Sequence, residues 1–238
     1  MPNRRTHASP LVIIAHRGAR SLAPENTLLA FEAAIDLGAP WIELDVQLHA
    51  GQLWVIHDER LERTTNGHGR LVDHSPKALR KLDAGSGESI PLLAEVIERV
   101  ARRAKINIEL KTGAGTAEAV AGLLHGFLSR GWSADDFLVS SFILTELREF
   151  KHRVPALPLG VLLCGVPLDL AACATQLAAR TVNLALDFTD PALIADARKR
   201  GMQVYVYTVN EIEDARRLEK LGVAGIFTDF PQRFLPRT

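Results

Sequence analysis

Short β-rich runs alternate with longer helical stretches along most of the chain. Nine runs have strand character: Leu11–Ala15, Trp41–Leu48, Leu53–His57, Lys105–Lys111, Phe137–Phe142, Leu159–Leu163, Thr181–Asp187, Gln203–Val209 and Gly225–Thr228. Five stretches between them have helical patterning: Thr27–Leu37, Leu92–Arg103, Thr116–Ser129, Ala192–Arg200 and Glu211–Leu221. Repeated strand-then-helix units predict a parallel sheet with right-handed crossovers.

One strand does not fit this alternation. Only the four residues His49–Gln52 separate Leu53–His57 from the strand before it, which is too short for a helical crossover. We therefore expect an extra strand in a barrel loop or hairpin, which leaves eight strand–helix positions and predicts an α/β fold, a TIM (β/α)₈ barrel. An open doubly wound sheet is disfavoured, because no glycine-rich dinucleotide fingerprint follows the first strand.

The segment from Glu59 to Ile90 is rich in turn residues and has one short helical piece near Pro76–Leu82. It has too few apolar residues for a core of its own, which predicts a small insertion after the second strand, folded over one end of the barrel. The 238 residues are close to the roughly 250 that one such barrel uses. The sequence therefore predicts a single domain over residues 1–238, with an insertion at about 59–90.

Charge and apolar content restrict the class of protein. The 28 basic and 28 acidic residues balance, which gives no electrostatic reason to expect nucleic acid or an anionic membrane as a partner. The apolar run after Arg4 and Arg5 is too short for the hydrophobic region of a signal peptide. The apolar segment Leu157–Ala174 is expected to form a buried strand followed by a helix rather than a membrane span. Cys164 and Cys173 lie in apolar sequence, which favours buried, reduced thiols. We expect a cytoplasmic protein without membrane insertion.

Charged and polar residues occur where buried strands should be apolar. His16 and Arg17 follow the first strand, Glu43 and Asp45 lie within the second, and His57 ends the third. Strands of a parallel barrel are covered on both faces and normally read as continuous apolar runs. A buried charge costs several kcal/mol unless it is paired or bound to a metal. The pattern therefore predicts a polar site at the strand ends.

Strand parity places the acidic residues on one face. Glu43 and Asp45 alternate with apolar neighbours, and Glu109 alternates in the same way with Lys111 two residues later. One interpretation is an interior salt bridge between Glu109 and Lys111. A metal site is favoured, because three acids on adjacent strands repel one another unless a cation lies between them. Carboxylates without cysteine favour one divalent cation, Ca²⁺ or Mg²⁺ with Mn²⁺ as a further option, over zinc.

The basic residues near these acids are suited to phosphoryl transfer. Arg17 can bind a phosphate through two parallel hydrogen bonds, and Lys111 can add a point charge. His16 and His57 both lie at strand ends, where the active sites of such barrels are found. Two histidines can divide the proton transfers between an attacking and a departing oxygen.

Six segments together resemble one known family. They read HRGARSLAPENTLLAF, IELDVQ, HDERLERTTNGHG, IPLLAEV, INIELK and GIFTDFP, in this order between about Ile13 and Pro231. This series is similar to that of the glycerophosphodiester phosphodiesterases. The resemblance implies a TIM barrel with a small insertion after the HD motif. It also implies hydrolysis of glycerophosphodiesters, which are small-molecule substrates, to sn-glycerol 3-phosphate and an alcohol.

The resemblance also implies roles for individual residues. It makes Glu43, Asp45 and Glu109 the metal ligands. It makes His16 and His57 the acid–base pair. A close alternative is a lysophospholipase D on the same fold and with the same metal site. An alternative from a different class is a non-catalytic barrel that binds a phosphorylated ligand. The sequence does not identify the alcohol headgroup, the native metal, the division of labour between the histidines or an oligomeric state.

The same resemblance implies substrate contacts. Arg17 matches the phosphate-binding arginine of the family, and Lys111 lies near phosphate. Where the family has Trp-Thr-Val-Asn at the end of a late strand, this chain has Tyr207 in the tryptophan position. Tyr207 and Phe142 are expected to line the substrate pocket, with core packing as the alternative for both. In the Pro24–Thr27 segment, Pro24 and Asn26 read as helix-start residues and Glu25 as a partner that orients Arg17.

Overall fold

The computed structural model describes residues 11–236, so Arg4 and Arg5 lie outside the described part. Its strands are β1 Val12–Ala15, β2 Trp41–His49, β3 Gln52–Val55, β4 Lys105–Leu110, β5 Phe137–Ser141, β6 Leu159–Leu163, β7 Thr181–Ala185, β8 Gln203–Tyr207 and β9 Gly225–Thr228. β1 pairs in parallel with both β2 and β9. In the described range, eight parallel strands therefore close in the order β1, β2, β4, β5, β6, β7, β8, β9. The predicted TIM (β/α)₈ barrel is confirmed.

The helices lie between the strands. They are α1 Leu28–Asp36, α2 Pro76–Leu79, α3 Leu93–Val100, α4 Thr116–Ser129, α5 Leu144–Arg153, α6 Ala172–Gln176, α7 Pro191–Lys199 and α8 Ile212–Leu221. Short 3₁₀ turns occur at Leu71–Asp73, Ala134–Asp136, Leu186–Phe188 and Pro231–Arg233. Sequence patterning missed α5, because this mostly polar helix buries only Leu147 and Phe150. The predicted strand and helix within Leu157–Ala174 are present as β6 and the start of α6.

The main core lies between the outer face of the barrel and the helices. Ile42, Leu44 and Val46 of β2 point into it and pack with Phe31 of α1 and Val96 of α3, all fully buried. Each such side chain stabilises the fold by roughly 1.5–3 kcal/mol relative to exposure. The alternate residues of β2 point into the barrel. The period of two therefore sends the acidic residues inward, as parity predicted.

The extra strand β3 pairs antiparallel with β2, with Val55 opposite Val46. It leads into the segment 59–90, which contains α2 and lies beside the carboxyl ends of β1 and β2. A small cluster of buried apolar side chains holds this segment against β3: Trp54, Ile56, Leu61, Leu71, Leu79, Ala84 and Ile90. We call residues 59–90 the insertion.

From the sequence, Cys164 and Cys173 are expected to be both reduced and buried. Both cysteines are free, as expected for reduced thiols. The expected burial is wrong, since Cys164 is exposed and Cys173 only half-buried. Cys164 directly follows β6, where the chain leaves the barrel, so its apolar sequence neighbours do not cover it. Between residues 11 and 236, none of the helices is both long and apolar enough to cross a membrane.

Candidate active site

Glu43, Asp45 and Glu109 come together inside the barrel, and we call them the acidic triad. Asp45 on β2 pairs in register with Glu109 on β4, and Glu43 precedes Asp45 by two residues on the same face. One carboxylate oxygen from each residue lies within 4.8 Å of those of the other two. Glu43 and Asp45 are buried, and Glu109 is partly covered. The sequence-predicted ligand set is therefore assembled by strand register.

Burial and mutual repulsion make three free carboxylates unfavourable here. Burial, with Asp45 and Glu109 nearby, raises the pKa of Glu43 well above its usual range. Burial and the charge of Asp45 raise the pKa of Glu109 to about 7. Within residues 11–236, Glu43 Oε1 and Asp45 Oδ1 have no hydrogen-bond partner although both are buried. A divalent cation suits such a set of hard oxygen donors, so the residues present fit one.

Two basic side chains lie against the acidic triad. Lys111 Nζ lies 2.8 Å from Glu109 Oε1 and 3.7 Å from Asp45 Oδ1, and Arg17 Nε lies 3.1 Å from Asp45 Oδ2. Burial by itself would lower the pKa of each base, but the nearby carboxylates raise it by more, so the pKa of each lies above its usual value. Both side chains therefore remain charged. The salt bridge between Glu109 and Lys111 therefore coexists with the acidic triad. An anion bound to a cation held by the triad would lie next to both bases.

The loop between β1 and α1 orients this arrangement. Glu25 Oε1 accepts a hydrogen bond of 2.9 Å from Arg17 Nη1, which is the contact expected from the sequence. Asn26 does not cap the helix, since Thr27 does so by accepting a hydrogen bond from Ala30 N. Asn26 instead has a φ of 58° and donates from Nδ2 to Asp45 Oδ2 at 2.9 Å. Its reading as a helix-start residue is therefore wrong, and it positions a carboxylate of the triad.

His16 is supported by residues of the barrel. Its Nδ1 lies 2.7 Å from Asp229 Oδ1, and its Nε2 lies 3.9 Å from Glu43 Oε2. Asp229 Oδ2 accepts a hydrogen bond from Asn210 Nδ2 at 3.1 Å, and Asp229 N donates to Asn210 Oδ1 at 3.0 Å. Burial would raise the pKa of Asp229, but these contacts lower it, so the carboxylate stays ionised.

Sequence reasoning missed Asp229 and Asn210 as site residues. Asp229 directly follows β9, as His16 directly follows β1, so its position at a strand end was the available signal. Asn210 lies three residues after the end of β8, the strand that neighbours β9 in the barrel. Their pairing depends on β8 and β9 being adjacent.

His57 is supported in a different way. Its Nδ1 bonds to the carboxylate of the next residue, Asp58, which also accepts from Arg63 Nε. Burial lowers the pKa of His57. The side-chain amide of Gln47 donates to the carbonyls of residues 56, 57 and 58 at 3.2, 3.1 and 2.8 Å, which fixes the backbone here. Arg63 belongs to the insertion and was not among the sequence-predicted residues.

Two aromatic side chains lie beside the acidic triad in a small cavity. Its lining residues are His16, Glu43, Asn107, Glu109, Phe142, Leu162, Tyr207 and Phe227. The rings of Phe142 and Tyr207 meet edge to face with centroids 5.9 Å apart. Tyr207 Oη donates to the Leu163 carbonyl at 2.9 Å, and Phe142 is 43% exposed. Both rings line the cavity, and Tyr207 also packs edge to face against Phe227 in the barrel interior.

The fold and the position of the site define a TIM-barrel enzyme that works at the carboxyl ends of its strands. The sequence model of the glycerophosphoryl diester phosphodiesterase family matches residues 16–233. The chain belongs to that family, which confirms the resemblance seen in the six segments.

Individual relatives agree with this assignment. The chain is 37% identical over 234 residues to a glycerophosphodiester phosphodiesterase from Caldanaerobacter subterraneus, covering 94% of this chain and 96% of the relative. Among solved structures, it is similar to an Oleispira antarctica phosphodiesterase in complex with the product sn-glycerol-3-phosphate, with a TM-score of 0.87 and 31% identity. That match covers 94% of this chain and 95% of the other. A glycerophosphodiester phosphodiesterase from Agrobacterium tumefaciens gives a TM-score of 0.77 at 30% identity, covering 94% and 98%.

Proposed function

We propose that this protein hydrolyses glycerophosphodiesters to sn-glycerol 3-phosphate and an alcohol, using a divalent cation and two histidines. The observation that carries the proposal is the convergence of the acidic triad, two basic side chains and two carboxylate-bound histidines at one end of the barrel. The likeness to the Oleispira antarctica enzyme, whose structure contains sn-glycerol-3-phosphate, supports this substrate class.

Glu43, Asp45 and Glu109 would hold the cation, either Ca²⁺ or Mg²⁺, with Mn²⁺ as a further option. When bound, it supplies positive charge that binds and polarises the phosphate diester. Asn26 keeps the Asp45 carboxylate in place through its 2.9 Å hydrogen bond. The substrate glycerol is expected to contact Phe142 and Tyr207 in the adjacent cavity.

Arg17 and Lys111 bind the non-bridging oxygens of the phosphate. Both lie against the acidic triad already, so they need little rearrangement to reach an anion there. Charge that develops on the phosphoryl oxygens in the transition state is stabilised by such preorganised donors.

His16 and His57 each transfer a proton to or from the reacting groups through Nε2, because Nδ1 of each is bonded to an aspartate. One accepts the proton of the attacking hydroxyl. If that hydroxyl belongs to water, displacement of the alcohol gives sn-glycerol 3-phosphate directly. If it belongs to the glycerol carbon next to the ester, displacement gives a cyclic phosphate, which water then opens to sn-glycerol 3-phosphate. The other donates a proton to the alcohol oxygen as its bond to phosphorus breaks. Each aspartate holds its imidazole in orientation and stabilises the imidazolium form.

Product release from a substrate panel tests this proposal. The purified protein, with each cation supplied, is incubated with glycerophosphocholine, glycerophosphoethanolamine and glycerophosphoglycerol, and sn-glycerol 3-phosphate is measured. We expect release from at least one of them, and none from the double variant His16→Ala/His57→Ala. Failure with every substrate and cation would favour the non-catalytic alternative.

One observation favours a second candidate, a lysophospholipase D activity at the same site. Phe142, Val166, Leu168 and Phe188 are exposed apolar side chains in the loops after β5, β6 and β7, at the same end of the barrel as the acidic triad. An acyl chain attached to glycerol could contact such side chains. The two activities are separated by comparing kcat/KM for glycerophosphocholine with that for lysophosphatidylcholine. A higher value for the lysolipid would favour the second candidate.

A further inference from the structure

Arg63, a residue of the insertion, contacts both the partner of His57 and the partner of Arg17. It follows Asp58 by five residues and is 44% exposed, in contact with two carboxylates. On the basis of the function proposed above, we propose that Arg63 is a positioning residue that aligns His57 and Arg17 together.

The first connection runs to His57. Arg63 Nε donates to Asp58 Oδ2, while Asp58 Oδ1 binds His57 Nδ1. Both oxygens of the Asp58 carboxylate are therefore engaged, which fixes its rotation. Because the aspartate is fixed, the imidazole bound to it has one preferred orientation.

The second connection runs to Arg17. Arg63 Nη1 and Nη2 donate to the two oxygens of Glu25 at 3.0 and 2.8 Å. Glu25 Oε1 also accepts from Arg17 Nη1 at 2.9 Å. The Glu25 side chain is only 8% exposed, whereas Arg63 is 44% exposed, so Arg63 covers the outer side of Glu25. The carboxylate that orients the phosphate-binding arginine is thus itself held by Arg63.

The geometry of a guanidinium is needed for this double contact. One edge of Arg63 binds Asp58, and its terminal nitrogens bind Glu25, so a single planar group bridges two carboxylates. A lysine ammonium is a point charge on a flexible stem and cannot reproduce both contacts at once. Removing the bridge leaves Glu25 with Arg17 and Arg20, and leaves Asp58 with His57 alone. Both connections to the active site would then loosen together.

The insertion contains a matched control. Arg80 makes a paired contact with Glu95 of α3 at 2.8 and 2.7 Å and also donates to the Ile90 carbonyl. Its side chain is 37% exposed, close to the value for Arg63. Arg80 therefore ties the insertion to the barrel without touching His57, Arg17 or their partners. A purely structural role for Arg63 predicts equal effects of Arg63→Met and Arg80→Met.

The first measurement is kinetic. We expect Arg63→Met to lower kcat/KM by about 10–100-fold, as for the loss of hydrogen bonds between charged groups, through a lower kcat and a higher KM. Arg63→Lys should recover little of this loss. Arg80→Met should stay within about twofold of the parent protein, since it touches no group of the site. Equal losses in the two methionine variants would overturn the proposal.

The second measurement does not require activity, so it separates failure of this inference from failure of the proposed function. Long-range ¹H–¹⁵N spectra of the histidine rings are recorded without substrate and assigned with His16→Ala and His57→Ala. We expect Arg63→Met to move the His57 ring signals and to leave those of His16 in place. Unmoved His57 signals, or an equal shift in Arg80→Met, would overturn the inference.

A third variant keeps the test valid if Arg63→Met does not fold. Glu25→Gln touches neither His57 nor Asp58, yet it should move the His57 signals because Arg63 loses one of its two carboxylate partners. Where Arg63→Met does fold, the additional shift from Glu25→Gln should disappear in the double variant Glu25→Gln/Arg63→Met. If the His57 signals did not change in Glu25→Gln, the contact of Arg63 with Glu25 would have no effect on the orientation of His57, and the inference would be overturned.

Discussion

The two histidines of the site have the same immediate partner but depend on different parts of the molecule. Nδ1 of each bonds to an aspartate. Asp229, the partner of His16, is held by Asn210, so this half of the site depends on closure of the barrel between β8, β9 and β1. Asp58, the partner of His57, is held by Arg63 of the insertion. The same histidine–aspartate pair is thus built once from distant strands and once from a local segment.

This difference has a consequence for stability and function. The His16 half depends mainly on contacts between residues that follow neighbouring barrel strands, and Arg20 adds an ion pair with Asp229 at 3.6 Å. The His57 half can be altered through the insertion while the barrel stays closed. We therefore expect mutations in the two halves to affect activity similarly and stability differently.

The largest loss of activity is expected from a change at Asp45, which lies between the His16 and His57 halves of the site. Asp45 contacts Arg17, Lys111 and Asn26 and belongs to the acidic triad. Asp45→Asn should lower kcat/KM by at least about 10³-fold, since electrostatic stabilisation of several kcal/mol depends on it. Release of sn-glycerol 3-phosphate measures the loss, and a circular dichroism spectrum checks the fold. Near-parental activity in a folded variant would remove Asp45 from the site.

The next effect compares the histidines directly. His16→Ala and His57→Ala should each lower kcat by about 10²–10⁴-fold, because each removes one general acid or base. Steady-state turnover of the preferred glycerophosphodiester provides the measurement. If one variant kept normal turnover, that histidine would have no part in proton transfer and the symmetry of the two halves would be lost.

The partners of the histidines give a smaller effect that separates the halves. Asp229→Asn and Asp58→Asn should each lower kcat by about 10–100-fold through loss of a charge-assisted hydrogen bond. Thermal unfolding should distinguish them. Asp229→Asn should lower Tm by about 2–6 °C because contacts to Asn210 are also weakened, and Asp58→Asn by about 2 °C or less. Equal shifts in Tm would contradict the contrast between barrel and insertion.

The smallest effect is expected at the aromatic wall. Tyr207→Phe removes the hydrogen bond to the Leu163 carbonyl but keeps the ring against Phe142. A single neutral hydrogen bond contributes about 0.5–1.5 kcal/mol, so KM should rise by no more than about tenfold with little change in kcat. A larger change in kcat would assign the Tyr207 hydroxyl a role in the chemical step.

The sequence predicted the barrel and the acidic triad because both follow from regular periods. Strand parity alone sends Glu43 and Asp45 inward, and register then brings Glu109 beside them. The contacts of Asn26 and Arg63 could not be predicted in this way. Asn26 reads as a helix-start residue, but its positive φ turns the side chain to Asp45. Arg63 lies in a turn-rich segment without periodicity, and only the folded insertion brings it to Glu25.

Removal and return of the cation tests the central claim, that the acidic triad binds a divalent cation on which hydrolysis depends. The protein is treated with EDTA and dialysed, and Ca²⁺, Mg²⁺ or Mn²⁺ is then titrated while binding is followed by calorimetry and product release is assayed in parallel. We expect activity to vanish after EDTA and to return in proportion to the occupied fraction of one site, with no binding in Asp45→Asn. Full activity in the metal-free protein, or unchanged binding in Asp45→Asn, would contradict the claim.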